Sequence, residues 1–234
     1  KFGSYWFGSG TPTYLIRMLG KFGVNPSEIG PKQAKASIFD APTETMTNIT
    51  PLLYQSGYIT IKDYNKILDL YTLDIPNKEV RLGLMESLLP NYVGNETPEA
   101  TTMVAYLFYD IQNGDMDSAL RRLQTFLSIV PYCDNTKYEG HYQQLFYVIF
   151  SLLNYYVDIE VRTPRGRVDV VLRTKTTLYV MELKLDKTAG EAMEQINLKN
   201  YPERFALCGL PVVKVAINFD SERCTIGDWM IEKG

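Results

Sequence analysis

Apolar and polar residues alternate with a period of two in three short stretches of the last hundred residues. The stretches cover residues 157–162, 167–173 and 178–185. This spacing is typical of β-strands that bury one face. The short segments between them, Pro164-Arg165-Gly166 and Lys175-Thr176-Thr177, contain turn-forming residues. The pattern therefore predicts an antiparallel meander of three strands.

Helical periodicity surrounds this meander. One helix is predicted over about residues 138–153 and another over about 188–199. A final strand is predicted at residues 212–218, and its nearly continuous apolar character indicates a central position covered on both faces. The predicted order is α-β-β-β-α-β, and the predicted class is mixed α/β (α+β).

The upstream half shows a different pattern. Three helices are predicted from the apolar stripe at residues 80–89 and the periodic segments 98–112 and 115–130, the last two as an antiparallel pair. Before them, a turn at Ser56-Gly57 and a short alternating strand predict a small winged-helix-like part. We therefore divide the chain into residues 1–75, a helical connector at 76–131, and a domain at 132–234.

Composition narrows the class of protein. The chain has 234 residues, 45% hydrophobic and 22% charged, which is typical of a globular protein. Its three widely spaced cysteines favour reduced thiols and a cytoplasmic location. We expect no membrane-spanning segment. Because the chain opens without Met in an aromatic-rich run, we expect it to be a piece of a longer protein.

Charge is distributed unevenly along the chain. The net charge is -3, yet residues 161–190 contain seven Lys or Arg and three Asp or Glu. A basic segment in an acidic chain fits a local phosphate-binding site, and a solvated hairpin explains it equally well. Arg165, Arg167 and Lys187 are the candidate nucleic-acid contacts.

Two carboxylates stand out on the predicted meander. Asp169 lies among strand residues that are otherwise apolar, and Glu182 and Lys184 share one face of the next strand, about 7 Å apart. Pairing about the turn at residues 174–177 places Asp169 opposite Glu182. Charged groups in such positions cost several kcal/mol unless they are paired or bind a metal.

Such a carboxylate pair supplies the hard oxygen ligands that Mg²⁺ requires, and a bound metal lowers the pKa of water and neutralises phosphate charge. Lys184 would stabilise the developing negative charge beside that water. Simpler explanations exist for each residue, because Glu182 and Lys184 could form a surface ion pair and Asp169 could protect a sheet edge.

The runs GRVDVVL at 166–172 and MELKLDKTAGEAMEQI at 181–196 resemble the PD-(D/E)XK nuclease superfamily. The resemblance implies a restriction-endonuclease-like core and a nuclease dependent on Mg²⁺ or Mn²⁺, with nucleic acid, expected to be DNA, as substrate. It also implies a further acid on the preceding helix, which fits Glu139, and a polar catalytic residue on the following helix, which fits Gln195. Val168 replaces the proline of the family pattern. Glu139 could equally be a helix-dipole acid.

The upstream runs WFGSGTPTYLI, LLYQSGYITI and YTLDIPNKEVR resemble the C-terminal part of an AAA-ATPase-like module that precedes such nuclease domains in Bacteroides-type bacterial families. That likeness implies a protein partner or homo-oligomer formed through the upstream module. The chain contains no GxxxxGK[ST] phosphate loop, so we expect no ATP hydrolysis.

Three functions are compatible with these residues. The leading one is a metal-dependent nuclease. A second is a catalytically silent nuclease-like fold that binds nucleic acid or a protein partner, and a third is a winged-helix regulator. His141, the single histidine, excludes multi-histidine sites; it is a candidate general base or a residue of the helix surface.

Overall fold

The computed structural model describes residues 12–94, 97–130, 139–162, 167–199 and 209–233. Within these ranges the side chains of residues 12, 45, 139–141 and 155 are not described. No helix in the described ranges is both long enough and apolar enough to cross a membrane. The chain divides into two compact units, residues 1–88 and 89–234.

The first unit combines a small antiparallel sheet with helices. Its strands are β1 (Lys32–Ala34), β2 (Thr60–Asn65) and β3 (Leu70–Asp74), in the order β1-β3-β2. Its helices are α1 (Pro12–Phe22), α2 (Ala36–Phe39), α3 (Thr50–Gln55) and α4 (Lys78–Leu88), with short 3-10 turns at Pro26–Glu28 and Thr43–Thr45.

The predicted turn at Ser56-Gly57 is confirmed, because Gly57 has a φ of 78° after α3. The strand that follows was predicted at residues 58–61 and begins at Thr60, two residues later. Tyr58 and Ile59 are buried, and both backbone amides donate to the Leu53 carbonyl, which closes the end of α3. The winged-helix description of this part stays a prediction.

The second unit begins with α5 (Pro90–Val93), α6 (Thr97–Gln112) and α7 (Met116–Ile129). Helices α6 and α7 form the predicted antiparallel pair around Gly114, whose φ is 78°. The side chain of Asp115 caps α7 by accepting a hydrogen bond from the Ser118 amide at 3.0 Å. The apolar stripes of both helices are buried.

A five-stranded mixed sheet forms the rest of the second unit. It contains β4 (Asp158–Arg162), β5 (Arg167–Arg173), β6 (Leu178–Leu185), β7 (Val212–Asp220) and β8 (Thr225–Lys233), in sequential order. Only the β6–β7 pairing is parallel, and α9 (Ala189–Leu198) connects these two strands. Helix α8 (Glu139–Leu152), followed by a 3-10 turn at Leu153–Tyr155, contacts β4 and β5.

The core of this unit forms where helices pack on the sheet. A cluster from β6, α9 and β7 contains Leu178, Val180, Ala192, Met193, Ile196, Val212 and Ala216. Phe146 of α8 packs edge-on against Phe219 of β7, with ring centroids 5.5 Å apart. These contacts fix β6, which carries candidate site residues, in the interior of the sheet.

The predicted order α-β-β-β-α-β is confirmed, and the predicted strands 167–173 and 178–185 match β5 and β6 residue for residue. Strand β8 was not predicted. Gly227 and Asp228 interrupt its apolar pattern, and only Ile226 of this strand is buried. The predicted turn at residues 164–166 lies outside the described residues.

The observed division of the chain falls between residues 88 and 89. The predicted boundaries lie near 75/76 and 131/132. Helix α4 therefore belongs to the first compact unit, and α6 and α7 belong to the same unit as the sheet. The identities assigned to the three predicted segments stay predictions.

Candidate metal and catalytic centre

Strands β5 and β6 bring the two predicted carboxylates together. Asp169 pairs directly with Glu182 in the antiparallel ladder, as the turn position predicted. Directly paired residues of an antiparallel sheet place their side chains on the same face, with Cβ atoms about 5 Å apart. Both acids therefore face one site.

The two carboxylates are poorly exposed to solvent. Glu182 is 1% exposed, and the side chain of Asp169 is 13% exposed. Two negative charges in a low-dielectric position repel each other and lose hydration. Such a pair requires a nearby cation or a proton.

Two cations from the described part of the chain meet these carboxylates. The Lys199 ammonium bridges them, with Nζ 2.9 Å from both Asp169 Oδ2 and Glu182 Oε2. Arg167 Nε lies 3.2 Å from Asp169 Oδ1 and 4.0 Å from Glu182 Oε1. The four side chains form a compact ionic cluster whose formal charges cancel.

The electrostatics of the cluster follow from burial and pairing. Burial raises the pKa of Glu182 above its ordinary value, and the hydrogen bond from Lys199 only partly opposes this shift. Burial alone would lower the pKa of Lys199, but its bonds to Glu182 and Asp169 outweigh burial, so the pKa is raised. Lys199 therefore stays charged, and Glu182 takes a proton more readily than an exposed glutamate.

One carboxylate oxygen of the cluster lacks a hydrogen-bond donor among the described residues. Glu182 Oε1 is buried and accepts no hydrogen bond within the described part of the protein. A buried acceptor without a donor is costly. A hard cation coordinated by this carboxylate would remove that cost, so the donor set fits Mg²⁺ or Mn²⁺.

Within the described residues, such a cation would have two carboxylate ligands, Asp169 and Glu182. Among the described side chains, no group of three or more His, Cys, Asp or Glu could hold a metal ion. One or two carboxylates are a sufficient protein contribution for Mg²⁺, which keeps several waters. Glu139 begins α8, but its side chain lies outside the described part, as does that of His141.

Lys184 lies on the same face of β6 as Glu182, opposite Arg167 on β5 and Asn218 on β7. It is half-buried. No hydrogen bond or ion pair joins its ammonium to another described residue. Its charge is therefore not compensated by the carboxylates, which are bound by other cations.

The remaining predicted residues have different environments. Gln195 is half-buried on α9 and forms no side-chain hydrogen bond with the described residues, and Lys187 is exposed. Arg167, predicted to contact nucleic acid, points at the carboxylates instead of being free for phosphate. Arg165 lies outside the described residues.

Sequence reasoning missed Lys199. The residue is the C-cap of α9 and lies one helical turn after Gln195, so both belong to the same helix face. A helix predicted to end at residue 199 could have suggested it, but the direction of a helix across a sheet is decided by packing.

A hydrogen-bond network centred on the buried Asn218 holds the loop between β6 and α9. Asn218 Oδ1 accepts from the Lys187 amide at 3.0 Å, and Asn218 Nδ2 donates to Asp228 Oδ1 at 2.9 Å. Asp228 Oδ2 accepts from the Ala189 amide at 3.0 Å, at the first turn of α9. The network therefore ties the start of α9 to β7 and β8.

Comparisons with known proteins agree with this geometry. Residues 137–229 match the PD-(D/E)XK nuclease superfamily, so a domain of that superfamily is present in the second unit. The matched range includes Asp169, Glu182, Lys184 and Lys199. Superfamily membership of this domain suggests a nuclease-type function.

A curated relative matches nearly the whole chain. It is a protein of Azotobacter chroococcum named "Uncharacterized protein in vnfD 5'region", 28% identical over 244 residues. The match covers 99% of this chain and 46% of the relative, so the chain spans about half of that protein's length. No solved structure matches the chain. The comparisons give no support to the upstream AAA-ATPase-like resemblance, which stays a prediction.

Proposed function

We propose, from the PD-(D/E)XK nuclease superfamily domain at residues 137–229, that this domain hydrolyses phosphodiester bonds of nucleic acid with Mg²⁺ or Mn²⁺. The supporting observation is the direct pairing of Asp169 with Glu182, whose carboxylate oxygens converge on one cation, the Lys199 ammonium. A point that attracts one cation between two buried acids suits a divalent ion.

Each residue has a proposed role. Asp169 and Glu182 hold the metal, which when bound activates water and neutralises charge on the scissile phosphate. Lys184, whose charge is uncompensated, stabilises negative charge that develops during the reaction. Glu139 is proposed as an accessory ligand because its position in α8 is one turn before Gln143, whose side chain donates to the Arg167 carbonyl at 2.8 Å.

The outer residues act on the substrate. Arg165, Arg167 and Lys187 are proposed to contact phosphates, and Gln195 to orient groups at the site. Arg167 would do so only after its bonds to the carboxylates are exchanged for a phosphate. We propose DNA as the substrate and the cytoplasm as the location.

Metal-dependent cleavage tests the proposal. Purified protein is incubated with Mg²⁺ or Mn²⁺ and with duplex DNA, single-stranded DNA or RNA. We expect cleavage that EDTA abolishes, and Asp169→Asn should lower its rate by about 100-fold or more because a metal ligand is lost. Absence of cleavage by the wild-type protein, together with unchanged Mn²⁺ affinity in Asp169→Asn, would refute the proposal.

One observation favours a second function, a nuclease-like fold that only binds nucleic acid or a partner. Arg167 and Lys199 already neutralise both carboxylates, and a self-compensated cluster needs no metal to be stable. This alternative predicts DNA binding that weakens with salt, no effect of EDTA, and no cleavage.

A further inference from the structure

The position of Lys199 indicates a role beyond ion pairing. This role rests on the proposed metal site. The ammonium contacts one oxygen of each carboxylate at 2.9 Å. These are the two groups proposed to hold the metal. Lys199 therefore occupies the space between the ligands.

Lys199 and a divalent ion cannot both bridge these carboxylates. Mg²⁺ binds carboxylate oxygens at about 2.1 Å, so an ion shared by Asp169 and Glu182 would lie within contact distance of the ammonium. An ion placed between the other two oxygens would also meet a cation, since Arg167 Nε lies 3.2 Å from Asp169 Oδ1 and 4.0 Å from Glu182 Oε1. Like charges at such distances repel strongly in a poorly solvated site.

The Lys199 ammonium can leave this position. The residue is the C-cap of α9, and its backbone amide is bonded to the carbonyls of Gln195 and Asn197. Its flexible four-carbon side chain lets the ammonium move without displacement of the helix. Arg167 approaches the opposite oxygens, Asp169 Oδ1 and Glu182 Oε1, and so lies outside the position that Lys199 occupies.

We propose that Lys199 is a built-in competitor for the metal: it bridges Asp169 and Glu182 in the metal-free protein and is displaced when a divalent ion binds. The lysine stabilises the empty site by separating two buried negative charges. It also lowers metal affinity, because part of the binding free energy is used to break the charge-assisted hydrogen bonds that Lys199 donates to Asp169 and Glu182.

Mn²⁺ binding to substituted proteins tests this competition. Affinity is measured by calorimetry, without nucleic acid, for the wild-type protein and for Lys199→Met. We expect Lys199→Met to bind Mn²⁺ about tenfold more tightly, a typical coupling between two competing events. Its metal-free melting temperature should fall, and saturating Mn²⁺ should raise that temperature more than in the wild-type protein.

Lys214→Met is the matched control. The Lys214 side chain is 18% exposed, close to the 21% of Lys199, and its ammonium donates to Asn197 Oδ1 at 2.7 Å. Its ammonium lies 4.0 Å from Glu232 Oε2, and among the described residues it contacts neither Asp169 nor Glu182. We expect its Mn²⁺ affinity to remain within about twofold of the wild-type value.

A second measurement uses the wild-type protein and does not depend on the folding of a variant. Acetic anhydride labelling, read by mass spectrometry, reports how accessible each lysine amine is. Labelling of Lys199 should be low without metal and rise several-fold with Mn²⁺, whereas labelling of Lys214 should not change.

Unchanged or weaker Mn²⁺ binding by Lys199→Met overturns the proposal, and so does Lys199 labelling that ignores Mn²⁺. Absence of Mn²⁺ binding in every protein also overturns it. The nuclease proposal fails separately: metal binding with release of Lys199 but without cleavage rejects the enzyme and retains the competition. Cleavage without any response of Lys199 to Mn²⁺ retains the enzyme and rejects the competition.

Discussion

Among single residues, Glu182 shows most clearly a side chain that serves the site and not the stability of the fold. It lies in the middle of β6 with 1% exposure, where its neighbours Met181 and Leu183 are apolar. A hydrophobic residue there would pack without the loss of hydration, and buried ion pairs often stabilise less than apolar replacements. The acid is therefore better explained by chemistry at the site than by folding.

Lys184 is proposed to stabilise charge in the reaction without binding the metal. Lys184→Met should lower the cleavage rate by about 100-fold, because the residue stabilises charge in the transition state only. Mn²⁺ affinity, measured by calorimetry, should change by less than about twofold, since Lys184 is not a ligand.

The control for this prediction is Lys175→Met, at the exposed turn of the same hairpin. It should retain the wild-type rate. A Lys184→Met protein that cleaves normally would remove this lysine from the proposed mechanism.

The pH dependence of stability follows from Glu182. Its raised pKa means that the native state holds a proton where the unfolded state has released it, so stability falls as pH rises above the ordinary glutamate pKa of about 4.3. In EDTA, the wild-type protein should therefore lose stability relative to Glu182→Gln between that pH and the raised pKa. Urea unfolding across pH 4 to 8 measures the difference, and a difference that grows in favour of the wild-type protein would contradict the prediction.

At the scale of elements, the position of α9 decides whether Lys199 reaches the carboxylates. Thr188 caps the helix: its side chain accepts from the Glu191 amide at 3.1 Å, and Glu191 accepts from the Thr188 amide at 3.0 Å. Asn218 and Asp228 then fix the preceding loop and the first turn. Local capping starts the helix, and contacts with β7 and β8 orient it.

Asn218→Leu should disturb this arrangement. Asn218 is 9% exposed, and its loss removes the acceptor of the Lys187 amide and the donor to Asp228 Oδ1. We expect the free energy of unfolding to fall by about 1 to 3 kcal/mol, the usual cost of an unsatisfied buried polar group. Chemical denaturation measures this change.

Asn197→Leu provides the comparison, because Asn197 is exposed and its side chain accepts a hydrogen bond from Lys214. Its effect on stability should stay within about 0.5 kcal/mol. Equal effects of the two substitutions would show that the hydrogen bonds of Asn218 are not important for stability.

At the scale of the whole second unit, α7 is joined to the edge strand β8. Gln124 Nε2 donates to the Ile226 carbonyl at 2.7 Å, and Thr225 Oγ1 donates to the Gln124 carbonyl at 2.9 Å. Trp229 Nε1 donates to Asp117 Oδ1 at 3.0 Å. Helix α7 thus contacts the edge strand β8 and binds one of its backbone carbonyls.

Fragments of the chain test this dependence. A fragment of residues 89–234 should unfold cooperatively, because it contains the complete compact unit. A fragment of residues 132–234 lacks α6 and α7 and should be markedly less stable or aggregate through β8. Circular dichroism during thermal unfolding distinguishes the two, and equal stability would favour the boundary predicted from sequence.

Particular residues show which parts of the fold and of the site could be predicted from the sequence. The register of Asp169 with Glu182 followed from alternation and from the length of one turn, which are local properties. Lys199 was missed because the contact joins residues 17 and 30 positions apart, through a helix whose direction only packing determines. Strand β8 was missed because Gly227 and Asp228 weaken its local pattern, and its pairing with β7 supplies what the pattern lacks.

The order α-β-β-β-α-β, the pairing of β5 with β6 and the positions of the two acids at its centre could be predicted from the sequence. These features depend on periodicity and turn length, which are properties of neighbouring residues. The cations that meet those acids and the strand that follows β7 at the edge of the sheet depend on tertiary packing. Such contacts depend on how distant elements pack, and no local pattern encodes the direction in which a helix crosses a sheet.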